Sequence, residues 1–187
     1  VATRFVGAVP GVRAEGERAA EQRASFFLGS DQRRWRANVP CFASVRYAGV
    51  WPGVDVRWSA CGRALEYECR IAPYADVAAI VLRCPEVTQL ALRPDGALSV
   101  TTPTGEIVEA APRAWQDTED GRVAVDVRFR VISDDTFGFA IASGYDPDTE
   151  LVIDPVLGYS TFVGGASYDE VHDLVVDPTG ATWFCGG

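Results

Sequence analysis

The 187-residue sequence contains no lysine, no methionine and a single histidine, His172. All 17 of its basic residues are therefore arginine, a bias that reads as codon usage in a GC-rich genome. The lone histidine narrows the chemistry: a Ser-His-Asp or Cys-His mechanism would have to use His172. It sits between Gly165 and Leu174, where Gly165-Ala166-Ser167-Tyr168-Asp169 lacks the second glycine of a nucleophile elbow. An ordinary structural histidine is the better reading. The five cysteines (Cys41, Cys61, Cys69, Cys84 and Cys185) include no C-x-x-C pair, so the spacing of a structural zinc site is missing. Spacing alone leaves disulfides and buried free thiols both open. No apolar run reaches the roughly 18–20 residues that cross a bilayer, so no membrane span is expected. No signal peptide is recognisable, which a mature chain would lack in any case.

What is present is enough apolar material for a core, 48% of the residues, and an acidic balance. The net charge is −9 and the pI about 4.6, which disfavours nucleic-acid and anionic-membrane binding.

After Pro40 the apolar residues recur with period two, the signature of strands with one buried face. Val54, Val56 and Trp58 alternate with Asp55 and Arg57; Leu65, Tyr67, Cys69 and Ile71 alternate with Glu66, Glu68 and Arg70. Val123–Val131 alternates most cleanly, and Phe137, Phe139 and Ile141 continue the pattern. Shorter strands are expected at Thr3–Val6, Ala79–Arg83, Val87–Leu92, Ala97–Thr101 and Leu151–Asp154. Arg13–Ser25 carries Ala, Glu and Arg without alternation and reads as a solvated connector. Short strands at close spacing predict an all-β fold, an antiparallel β-sandwich or barrel-like domain over residues 1–156.

The last segment has its own pattern. Tyr159-Ser160-Thr161-Phe162-Val163-Gly164-Gly165 is followed by Asp169, an apolar strand at Leu174–Val176, and Asp177-Pro178-Thr179-Gly180 before Trp183-Phe184. The D-x-x-G fits a tight turn, because Asp bonds the following backbone and Gly supplies positive φ. This ordered set resembles the opening repeat of the bacterial SBBP family of seven-bladed β-propellers. Asn38-Val39-Pro40, Tyr47, Pro52-Gly53-Val54-Asp55, Leu65-Glu66-Tyr67, Asp95-Gly96, Ala114-Trp115-Gln116, Tyr145-Asp146 and Leu151–Pro155 resemble the uncharacterised domain that precedes those repeats. The resemblance implies a secreted or cell-surface bacterial protein and brings no catalytic residues. Residues 157–187 are expected to be an incomplete propeller repeat, about two of a blade's four strands, continuing into further repeats. At Cys69 and Cys84 the family usually has bulky residues. Both cysteines share inward parity with their strands, so the joint replacement implies a Cys69–Cys84 disulfide. Tyr74 stands where the family usually has glycine, so the turn after Ala72-Pro73 is expected to differ.

Candidate sites are few. Glu66, Glu68 and Asp55 offer paired carboxylates for glycoside hydrolysis, although strand alternation already places them on a solvated face. No inward strand position is read as carrying the carboxyl that acid catalysis needs. Asp146-x-Asp148-x-Glu150 has hard-cation spacing, but Leu151 and Leu157 stand where an EF-hand needs Gly and Glu. Asp117, Glu119 and Asp120 read as a solvated hairpin tip. Among the tryptophans, Trp58 and Trp115 are assigned to the core, and Trp51, before Pro52-Gly53, is the exposed candidate for stacking on a sugar. The expected function is non-catalytic: a structural or adhesive surface module that needs no cofactor and no metal and meets a glycan or protein ligand. The alternatives are a polysaccharide hydrolase working through carboxylates and a calcium-stabilised carbohydrate-binding module.

Overall fold

The computed structural model describes residues 3–61, 64–103, 105–155, 171–176 and 182–186. In chain order the strands are β1 (Arg4–Phe5), β2 (Ala14–Phe26), β3 (Arg36–Trp51), β4 (Val54–Cys61) and β5 (Ala64–Ile71). Then come β6 (Val81–Arg83), β7 (Gln89–Leu92), β8 (Leu98–Thr102), β9 (Gly105–Glu109), β10 (Arg113–Thr118) and β11 (Gly121–Ala124). The series ends with β12 (Asp126–Ser133), β13 (Thr136–Ser143), β14 (Leu151–Asp154), β15 (Val171–Val176) and β16 (Thr182–Gly186). Single 3-10 turns at Gln32–Arg34 and Val77–Ala79 are the helical elements among the described residues. Asp31 and Asp76 cap them by accepting the amides of Arg33 and Ala78.

A seven-stranded antiparallel sheet has the order β11-β10-β14-β5-β4-β3-β2. A four-stranded sheet, β1-β6-β13-β12, and a three-stranded one, β7-β8-β9, complete the domain. One apolar cluster draws on all three: Val56, Cys69 and Ile153 from the large sheet, Leu82, Phe129 and Phe139 from the second, and Leu90, Leu98 and Val100 from the third. That shared core makes the fold an all-β sandwich of antiparallel sheets. β15 and β16 pair with each other, antiparallel. The Asp177–Gly180 turn and the Tyr159–Gly165 motif lie outside the described residues, as do Leu157 and Asp169.

Two segments depart from the period-two reading. The expected connector is a 13-residue strand, β2, paired with β3 from Ala14↔Tyr47 to Phe26↔Arg36. It escaped the alternation rule because it is an edge strand with scarcely any buried position. The clean Val123–Val131 run is cut at Val125, whose N–H donates to the Ala114 carbonyl (3.0 Å). Residues before it pair in the large sheet and those after it in the four-stranded sheet. Accordingly Val125, Val127 and Phe129 are buried as the parity demands, while Val123 is exposed. At Tyr74 the backbone takes a conformation that glycine adopts readily. Its φ is +62°, a left-handed conformation uncommon for a bulky residue.

Candidate functional site

The outer face of the large sheet is an arginine–carboxylate ladder. Antiparallel register puts Arg57 opposite Glu68 and Asp55 opposite Arg70, and directly opposed side chains on one face touch. Arg57 donates to Glu17 Oε2 (2.8 Å) on β2 and to Glu68 Oε1 (3.0 Å) on β5. Arg70 donates to the same Glu68 oxygen (2.9 Å) and to Glu150 (2.9 Å). Arg46 grips Asp55 at 2.6 Å, and the Gly49 N–H donates to the other Asp55 oxygen at 2.7 Å. Desolvation opposes ionisation of Asp55, but that amide and guanidinium outweigh it and hold its carboxyl below the ordinary range.

The three expected carboxylates are thus regrouped. Asp55 belongs to Arg46, whereas Glu66 and Glu68 lie near Asp154 on β14. Burial first, and then the charges of Glu66 and Glu68, push the Asp154 carboxyl upward, with Arg113 opposing. A carboxyl raised above its ordinary range beside a carboxylate fixed by two guanidiniums is an asymmetry of the kind acid–base chemistry uses. Among the described residues it stands on a sheet face.

Trp51 is not a surface platform. It is 2% exposed, its indole N–H donates to the Val6 carbonyl at 2.8 Å, and Phe5 packs edge-on against it. The bulge that carries Gly49 at φ +61° precedes the Pro52-Gly53 turn, and Trp51 at the strand end is buried beneath β1 rather than lifted by that turn. Trp58 stacks at 5.0 Å on Tyr67 within the core's rim. Trp115 stands opposite Val152 on the outer face, with the Arg122 guanidinium 4.3 Å over its ring. Arg122 also pairs with Asp117 (2.9 Å) at the expected hairpin tip.

The core does hold an inward carboxyl. Glu109, at the end of β9, is buried beside the buried Tyr67 hydroxyl, and neither its Oε1 nor that hydroxyl makes a well-formed hydrogen bond. Burial pushes the Glu109 carboxyl up to about 7, even though the neighbouring phenol favours its charged form. Desolvation, and then the Glu109 charge, drive the Tyr67 phenol well upward. The signal was available: Ile107 opposes Val100 and Glu109 opposes Leu98, so continuing inward parity from Ile107 by two reaches Glu109.

Cys69 and Cys84 line the same core as free, buried thiols; the expected bridge is absent from the structure. Burial pushes the Cys69 thiol up to about 12 and raises Cys84 also, despite a 3.7 Å contact with the Thr3 hydroxyl. Cys61 and Cys185 fall where side chains are not described, as do His172 and Trp183.

The Asp146 turn is an internal structure. Asp146 accepts the Asp148 amide (3.0 Å) and the Thr149 hydroxyl (3.3 Å), and Glu150 is held by Arg70. Gln116, 2% exposed, clamps the turn from below. Its Nε2 donates to the Asp146 and Thr149 carbonyls (2.7 and 2.8 Å), and its Oε1 accepts the Asp146 N–H (2.9 Å). A cation there would have to displace these bonds.

Residues that no sequence expectation marked as a site form the remaining feature. β4 ends at Cys61 and its pairing with β3 starts at Ser44↔Ser59, so Arg36–Cys41 and the β2 residues facing them run past the sheet as a two-stranded arm. Phe27 and Leu28 at its end are 59% and 60% exposed. Trp35 meets Phe27 edge-on at 5.4 Å, its N–H donating to the Gly29 carbonyl.

A family model described as "Domain of unknown function (DUF7948)" matches residues 1–156. No curated protein and no solved structure matches.

Proposed function

The chain belongs to the DUF7948 family over residues 1–156, and from that premise we propose that it is a non-catalytic module of a secreted or cell-surface bacterial protein. It serves adhesion or scaffolding ahead of a β-propeller array whose first, incomplete repeat is residues 157–187. The propeller and the location are supported by the SBBP resemblance of Tyr159–Gly187. The non-catalytic reading is carried by one observation: the carboxyl poised near neutrality, Glu109, is sealed in the core. An acid that cannot touch substrate cannot transfer a proton to it. The outer carboxylates are mostly matched to arginine across the strands, as a structural ladder requires.

A second reading, a hydrolase of polysaccharide, is favoured by the raised Asp154 beside Glu66 and Glu68. One experiment separates the two. The purified chain is screened against polysaccharide and ester substrates and, in parallel, on glycan and protein arrays. The first reading expects binding without turnover. Turnover lost in both Asp154→Asn and Glu68→Gln replaces it with the second.

A further inference from the structure

We propose that the tip of the β2–β3 arm docks onto an anionic phospholipid bilayer. The inference rests on the surface-binding reading above and adds the partner. Residues 23–36 contain four arginines (Arg23, Arg33, Arg34, Arg36) and one acid, Asp31, a local charge of +3 on a chain of net −9. Asp31 is occupied by Arg33. Arg23 and Arg36 donate only to backbone carbonyls, and among the described residues Arg34 has no carboxylate partner. Three guanidiniums are therefore unneutralised, whereas Arg46, Arg57 and Arg70 on the sheet behind them are matched to acids.

The apolar residues lie on the same tip. Phe27 and Leu28 are adjacent and largely exposed, and Arg36 stands level with Phe26, one residue behind them. An exposed aliphatic-aromatic pair backed by arginine and a half-buried tryptophan matches the order of hydrocarbon, interface and headgroup in a leaflet. An acidic protein groove would satisfy the arginines equally. The neighbouring Phe27 and Leu28, presented at the free end of an arm, favour acyl chains. Glu21 stands two residues behind Arg23 on the same strand, away from the tip, and exposed charges farther than about 8–10 Å are screened.

The whole chain is tested by co-sedimentation with vesicles containing about one-third phosphatidylglycerol in phosphatidylcholine, and with pure phosphatidylcholine. Binding is expected to the anionic vesicles alone, with a blue shift of tryptophan emission that vanishes in Trp35→Phe. Arg34→Glu/Arg36→Glu and, separately, Phe27→Ser/Leu28→Ser are each expected to weaken binding about tenfold or more. Circular dichroism confirms that these exposed-site variants remain folded. Absence of binding, equal binding by the variants, or a self-associated species dispersed by the same substitutions overturns the inference. Glycan or protein binding that survives a negative vesicle result leaves the adhesive reading standing and removes the lipid alone.

Discussion

Glu109 and Tyr67 are neighbours in the core, brought together from β9 and β5, and neither the carboxyl Oε1 nor the phenol hydroxyl makes a well-formed hydrogen bond. Leaving two polar atoms poorly satisfied in a low-dielectric interior is costly, most of all when one of them ionises. The Glu109 carboxyl has an ordinary value of 4.5 and is lifted by burial to about 7. Between those values the folded state binds more protons than the unfolded one, so stability is full below the lower value and is lost as pH rises through the higher. Urea unfolding should show a loss approaching about 3 kcal/mol by a pH of about 8 relative to about 4.5. Glu109→Gln should flatten that dependence; an unchanged pH profile in the variant would assign it to other groups.

Trp51→Ala should act on folding rather than on a ligand. The side chain fills a fully buried volume and satisfies the Val6 carbonyl. Its removal is expected to cost about 3–5 kcal/mol, read as a fall in melting temperature. A Trp51→Ala protein that melts normally yet loses glycan binding would restore the surface role.

Gln116→Ala removes three hydrogen bonds between a buried side chain and the backbone of the Asp146–Thr149 turn. The expected loss is about 2–3 kcal/mol, with faster amide exchange at Asp146 and Thr149 than elsewhere. Uniform acceleration across the sheets would show that the clamp has no local role.

The thiols should separate by burial. In the native protein at a pH of about 8, iodoacetamide is expected to label Cys41, which is half-buried, well before Cys69 and Cys84. After unfolding without reductant, both should be alkylated quantitatively. Peptide mapping that recovers Cys69 joined to Cys84 would show that the bridge forms after all.

Legibility in the sequence followed the burial of each strand. β4, β5 and β13 have one face in the core, so alternation announced them and also placed Asp55, Glu66 and Glu68 outward. β2 buries almost nothing, so its pattern carried no period and the arm was invisible. Glu109 was missed because β9 is short and opens with Gly105-Glu106, leaving Ile107 as its single apolar inward residue. Trp51 was misplaced because a turn signal fixes where the chain reverses and is silent on what lies above it. Here that is Phe5, nearly fifty residues earlier in the chain, whose contact no local pattern encodes.

The break at Val125 makes one continuous stretch of backbone belong to two sheets. Its amide is tied to Ala114 in the large sheet, and its side chain is buried in the core that the four-stranded sheet shares. The chain thus passes from one layer to the other without a loop that could serve as a hinge. A displacement of β12 therefore reaches β11, the edge strand of the large sheet, directly through that residue. Exchange at the Val125 amide is thus expected to report on both sheets at once.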